Sequence, residues 1–300
     1  MNAERAIIAR RRIVDRALGR YVPARGDTLS RAMRYSLFSG GKRLRSVLLL
    51  AAGEAVGGQR RLLLPFACGI EMIHTYSLIH DDLPAIDDDA LRRGKPTAHC
   101  VFGESMAILA GDALLTEAFR VMTTTSAGKG DAAPSVVAAI RAIATAAGVR
   151  GMVGGQVADL EHEGKRVSLA TVRGIHCRKT AALIGAASEA GGLVGGASGA
   201  ALRALTGYGR ALGLAVQIAD DVRDAEASTA VTGKIARRDQ ERGKATYVAV
   251  LGSAAAHAAL RREVNRALRA LRPLGDRARL LTQLARQVAQ WGEAGARRSP

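Results

Sequence analysis

Aromatic residues make up only 3% of this 300-residue chain, too few to give a platform on which successive bases could stack. Cysteine is almost as scarce. Cys68, Cys100 and Cys177 are odd in number, far apart and without a CxxC pair, which excludes a disulfide framework or a cysteine zinc site and suits a reducing, cytoplasmic setting. No Pro/Ser-rich linker interrupts the chain, so residues 1–300 are read as one domain. No stretch reaches the ~20 consecutive apolar residues of a bilayer span, so no stable membrane anchor is expected. The arginine-rich N-terminus, MNAERAIIARRRIVDRALGRYV, lacks the continuous apolar segment of a signal peptide and reads as a mature amphipathic helix. Acidic residues are also in deficit, 27 against 44 Lys and Arg, for a net charge of +17. That balance invites a nucleic-acid reading, but no helix-turn-helix, zinc or OB signature accompanies it. Residues 1–45 carry twelve basic against three acidic residues, and residues 252–300 ten against three. Such runs read as solvated helix faces, and no nucleic-acid partner is expected.

What is present is helical. Apolar residues recur at three- and four-residue spacing, as in Leu44, Val47, Leu48 and Ala51. Alanine is abundant, and the glycines cluster where helices should end, at 40–41, 56–59, 127–134 and 191–199. The expected fold class is all-α, a bundle of about ten or more helices, since 48% hydrophobic content can bury a large core.

Against the basic background stands HDDLPAIDDD at residues 80–89, with five aspartates. Adjacent carboxylates repel and need something positive nearby: solvent in an acidic turn, a partner's basic patch, or divalent ions. Asp81 and Asp87, six apart, would not align on a straight helix. Pro84 disfavours helix at Leu83, so the chain should bend between them and bring them together. His74, Ser77 and Asp81 fall on one helix face. A second pair of aspartates follows about 140 positions later in QIADDVRD, where Gln217, Asp220 and Asp224 sit one turn apart on one face. Oxygen donors without cysteine suit a hard cation, and magnesium binds through one or two carboxylates plus substrate phosphates. Basic residues beside glycine or threonine recur in SGGKRLR, LRRGKPTAH, RKT, TGK and RGKAT. Backbone amides and cations can converge there on phosphate oxygens.

Taken in order, GGKRLR, IHTYSLIHDDLPAIDDDALRRGKPTAH, FGESMAILAGDALLTEAF, GMVGGQVADLEHEG, IHCRKTAALI, QIADDVRD and GKIARRDQERGKATY resemble the short-chain trans-prenyltransferases of the polyprenyl (isoprenyl) diphosphate synthase family, most of all its farnesyl-forming bacterial branch. The resemblance runs from about residue 35 to 250. It implies an isoprenoid-synthase fold with a deep central cavity, a homodimer, and three Mg²⁺ ions bridging the allylic diphosphate. Asp81, Asp82 and Asp87 would hold metal on one wall, and Asp220 and Asp224, with Asp221 beside them, on the other. Lys42, Arg45, His74 and Arg93 would bind isopentenyl diphosphate. Arg92, Lys179, Thr180, Gln217, Lys234 and Lys244 would contact the allylic substrate, with Arg92, Lys179 and Lys234 also serving catalysis. Arg43 could instead be a surface salt-bridge partner. The implied reaction ionises dimethylallyl or geranyl diphosphate, condenses the cation with isopentenyl diphosphate and eliminates a proton.

In such enzymes the residues four and five before the first aspartate, here Ser77 and Tyr76, limit product length. A bulky Tyr76 implies a stop at C15, farnesyl diphosphate, with a C20 product as the alternative. Four features depart from the family pattern: Val216 before Gln217, Arg223 at an ordinarily apolar site, a segment AEASTAVTGK without the usual glycine-aspartate turn, and a C-terminal QWGEAGARRSP that matches poorly. A terpene cyclase or head-to-head synthase would share the aspartates but would not need both GGKRLR and RRGKPT. A non-catalytic partner subunit would tend to lose aspartates that are present here.

Overall fold

A computed structural model describes residues 3–127, 133–226 and 242–296. The N-terminal half comprises α1 (Ala3–Tyr21), α2 (Thr28–Leu37), α3 (Leu44–Ala55) and α4 (Arg60–Asp81), then a two-stranded hairpin, β1 (Leu91–Arg92) with β2 (Lys95–Pro96), then α5 (Ala98–Phe102) and α6 (Glu104–Thr123). After α7 (Ala133–Ala147) come α8 (Met152–Glu161) and α9 (Leu169–His176). A π-helical turn (Cys177–Ala181) leads directly into α10 (Ala182–Val194). The last helices are α11 (Gly199–Glu226), α12 (Tyr247–Leu251), α13 (Ser253–Ala270) and α14 (Arg279–Ala296). The fold class is all-α.

Each boundary has a local cause. Asp27 caps α2 by accepting from the Ser30 amide at 2.7 Å, and Ser168 does the same for α9 through Thr171. Gly103 and Gly252 take positive φ where one short helix stops and the next begins. The apolar stripes converge on one contiguous core that runs from Ile7 to Val288. At its centre α10 is enclosed by α3, α7 and α11, while α4 packs on α3 and α6, and α11 on α13 and α14. The hydropathy expectation needs one correction. Arg60–Asp81 and Ala133–Glu161 are long and apolar enough to pass for membrane spans by composition. The first is the core helix α4, with 72% of its apolar window buried, which is where its hydrophobicity goes.

Candidate active site

Helices α3, α4, α8 and α11 and the π turn surround a cavity of about 1080 Å³, at the upper end of ligand-pocket sizes. The C-terminal turns of α4 supply one wall. His74, Ser77 and Asp81 all line it, as their spacing predicts, and so does Tyr76. Helix α4 stops at Asp81, and beyond Pro84 the chain folds back, so that the Asp87 amide donates to the Asp81 carbonyl at 2.8 Å and the Asp89 amide to the Asp82 carbonyl at 3.1 Å. The bend expected from the proline therefore brings Asp87 back beside Asp81. Asp82 is placed differently from Asp81. It is buried, and both its oxygens accept from Arg92 Nε, at 2.7 and 2.8 Å.

The β1–β2 hairpin explains how LRRGKPT serves this wall. Arg93 and Gly94 both take positive φ, as a two-residue I′ turn requires, and the reversal sends both arginines toward the cavity. The Arg93 guanidinium donates to the Gly40 carbonyl and lies flat on Gly41, where any Cβ would come within 2.6 Å of it. Lys42 in the same loop and Arg45 in the first turn of α3 face the cavity, and Arg45 Nε is buried with no hydrogen-bond partner among the described residues. Arg43, expected as a surface partner, is instead buried in a left-handed conformation. It ion-pairs with Asp15 at 2.9 Å and Glu71 at 3.4 Å and donates to the Leu37 carbonyl. Burial, then Arg45, Arg93, Arg92 and Arg43 in that order, hold His74 well below its ordinary pKa, so its imidazole is neutral at pH 7.

On the opposite wall α11 presents Gln217, Asp220 and Asp224 to the cavity. Asp220 pairs with Arg223 at 2.9 Å. Asp221 turns into the protein, 2% exposed, and accepts from Gln217 Nε2, His176 Nε2 and the Tyr247 amide at 3.0, 2.8 and 2.8 Å. Thr180 Oγ1 donates to Gln217 Oε1 at 2.6 Å, so a chain of hydrogen bonds joins the π turn to α11. The π turn adds a residue that aims Lys179 and Thr180 inward, and it sits against Gly155, where a Cβ would lie 2.6 Å from Lys179 Cα. Lys234 lies outside the described residues.

Charge balance decides what this cavity can hold. Burial first, then Asp87 and Asp82, raise the Asp81 pKa to about 6 against the pull of Lys179 and Arg92. The cost of burying the Asp81 carboxylate therefore outweighs the pull of the cations around it, and a further positive charge beside it would lower that cost. Among the described residues no three acidic, histidine or thiol groups converge closely enough to hold an ion on their own. The oxygen donors on two facing walls instead fit a hard cation that completes its shell with ligand oxygens. Residues 26–279 match the model of the polyprenyl synthetase family. The chain belongs to that family. It is 46% identical over 278 residues to a farnesyl diphosphate synthase of Geobacillus stearothermophilus, covering 91% of this chain and 92% of the relative. It is 48% identical over 229 residues to geranylgeranyl pyrophosphate synthase 11 of Arabidopsis thaliana, covering 75% and 64%. A geranyltransferase of Helicobacter pylori, solved with magnesium and isoprenyl diphosphate, superposes with a TM-score of 0.84 at 28% identity, over 97% of each chain.

Four further groups in this polyprenyl synthetase escaped the sequence reading as individual residues. Asp159 accepts from Lys179 Nζ at 2.8 Å and Lys244 Nζ at 3.2 Å. Lys244 also reaches Asp87 at 3.1 Å and Glu163 at 3.1 Å, and Arg242 pairs with Glu163 at 2.9 Å while donating to the Asp87 carbonyl. Burial opposes the Lys244 charge, but Asp159, Asp87 and Glu163 more than offset it and hold its pKa above the ordinary value. The signal was the pair of acids four apart in GMVGGQVADLEHEG. Trp291 lies over Lys42, with the ammonium 3.3 Å from the ring centroid, and as the only tryptophan in a poorly matching segment it carried no signal of its role.

Proposed function

We propose that this chain is a magnesium-dependent trans-prenyltransferase that condenses isopentenyl diphosphate with dimethylallyl or geranyl diphosphate and releases farnesyl diphosphate, working as a cytoplasmic homodimer. The observation that carries the C15 reading is Tyr76, whose ring, 7% exposed, sits on the cavity wall five residues before Asp81. Asp81 and Asp87 on one wall, with Asp220 and Asp224 on the other, are the residues that would hold magnesium. Magnesium, when bound, neutralises diphosphate oxygens and makes them a better leaving group.

The residues of the chain supply the rest. Lys179, Thr180, Gln217, Arg92 and Lys244 face the departing allylic diphosphate, and the two lysines exchange Asp159 for phosphate oxygens as it binds. Their charges act where negative charge grows in the transition state. Lys42, Arg45, Arg93 and neutral His74 orient isopentenyl diphosphate so that its double bond meets the allylic cation. Apolar Val153, Val157, Leu160 and Val216 line the cavity and exclude the water that would quench that cation. No side-chain base stands out, so the released diphosphate is the proton acceptor. Asp82 and Asp221 serve from behind, holding Arg92 and the Gln217–Thr180 pair.

Incubation with labelled isopentenyl diphosphate and each allylic diphosphate, with and without Mg²⁺, tests this reading. Metal-dependent C15 diphosphate is expected, and Tyr76→Ala should lengthen it. Absence of any prenyl diphosphate would overturn the enzyme reading, and a mainly C20 product the reading of Tyr76. The C20 alternative is favoured by one observation, the 48% identity to a geranylgeranyl pyrophosphate synthase.

A further inference from the structure

Two departures from the family pattern, Arg223 and the C-terminal segment, meet at one cation of the cavity. The loop around Lys42 is held on both sides: Arg11 donates to the Gly41 carbonyl at 2.8 Å, and Arg43 is locked by Asp15 and Glu71. Neither contact holds the Lys42 side chain. Among the described residues no carboxylate pairs with it, and its ammonium rests on the Trp291 ring, 3.3 Å from the centroid, well inside the reach of a cation–π contact. Both residues line the cavity. Trp291 is carried on α14, whose neighbouring Gly292 packs closely: a Cβ there would come within 2.4 Å of Leu260 Cδ2 on α13 and 3.9 Å of Ala219 Cα on α11. Ala219 precedes Asp220, and Asp220 and Arg223 are the charged groups that bear on Lys42. These two pair with each other at 2.9 Å, which leaves the indole as the partner of the lysine.

We infer that Trp291 is a positioning residue for isopentenyl diphosphate, its ring holding the Lys42 ammonium in the cavity with the charge still available to a phosphate oxygen. This rests on the reading of Lys42 as a ligand of that substrate. A lysine side chain is long and flexible, and an unheld ammonium would have to be ordered each time substrate binds. A carboxylate partner would order it but would have to be displaced by phosphate, as Asp159 is from Lys179 and Lys244. An aromatic face orders the cation without neutralising it, so no exchange is needed.

The test is initial-rate kinetics in Mg²⁺ with isopentenyl diphosphate varied at saturating geranyl diphosphate, and then with the two exchanged. Trp291→Leu should raise KM for isopentenyl diphosphate about three- to tenfold, while kcat and KM for geranyl diphosphate change little. Trp291→Phe, which keeps a ring face, should recover most of that loss. In a Lys42→Met background the Trp291→Leu step should add nothing, because the ring then has no cation to hold, whereas a merely structural role would leave its effect undiminished. If Lys42→Met raises KM for isopentenyl diphosphate but Trp291→Leu does not, or if the two effects simply add, or if Trp291→Leu raises both KM values alike, the role of Trp291 is overturned and that of Lys42 stands. If Lys42→Met leaves that KM unchanged, the reading of Lys42 falls, and the role of Trp291 with it.

Discussion

At the scale of single residues, the cavity keeps its carboxylates in unequal environments. Asp82 and Asp221 are buried in hydrogen bonds to the protein, whereas Asp81 is pushed up to about 6, chiefly by burial and then by its acidic neighbours. A carboxyl whose pKa is raised on folding binds its proton more tightly in the native state. Its contribution is most favourable below the unfolded value near 3.8 and is lost as pH rises through about 6. Asp81→Asn should therefore stabilise the metal-free protein by about 1–3 kcal/mol at pH 7, with the gain vanishing near pH 4, while abolishing Mg²⁺-dependent turnover. Denaturant titrations at the two pH values check the sign. A variant less stable than the parent at pH 7 would contradict the burial cost assigned to Asp81. The sequence located these aspartates but could not sort them, because their difference lies in partners that arrive from other helices, such as His176 from α9.

At the scale of elements, the π turn at Cys177–Ala181 is the least predictable part of the site and among the most important. Its geometry depends on α8 coming close at Gly155, which lets the backbones of Gly155 and Lys179 meet. Gly155→Ala should force the two apart, at a cost of about 1–3 kcal/mol in stability as an overpacking change. Lys179 and Thr180 should be displaced together. The expected kinetic signature is a higher KM for the allylic diphosphate with that for isopentenyl diphosphate little changed, read from initial rates with each substrate varied. Sequence periodicity showed the helices well, since their stripes are strong and their caps ordinary. It did not show the I′ hairpin at Leu91–Pro96, because Arg93 takes a left-handed backbone usually given to Asn or Gly. Nor could it show the π turn, whose five residues read as plain helix.

At the scale of the whole molecule, a net charge of +17 surrounds a cavity in which several cations are internally paired. Lys179, Lys244 and Arg242 are neutralised by Asp159, Asp87 and Glu163, so much of the excess is left to the surface. Such a field draws in diphosphates from a distance and weakens with salt. Raising ionic strength from about 0.05 to 0.5 M, which shortens the screening length from ~14 Å to ~4 Å, should raise KM for both substrates while kcat changes little. Equal falls in kcat and kcat/KM would place the sensitive charges in the chemical step instead. The all-helical fold was legible because it follows from spacing along single helices, and the aspartate clusters from helical spacing in one case and the bend at Pro84 in the other, while their facing one another came from the family resemblance. Asp159 and Trp291 were not, because one acid and one indole acquire meaning only from the lysines opposite them.

The buried Arg43 carries a consequence for where the working protein begins. Its ion partner Asp15 belongs to α1, the neighbouring Arg11 of that helix donates to the Gly41 carbonyl at 2.8 Å, and Arg11 lines the cavity. Helix α1 lies before residue 26, where the family match starts. The edge of the family match therefore falls inside the machinery, and a shortened chain cut at that edge would keep every familiar motif yet lose the strut that holds the GGKRLR loop in place.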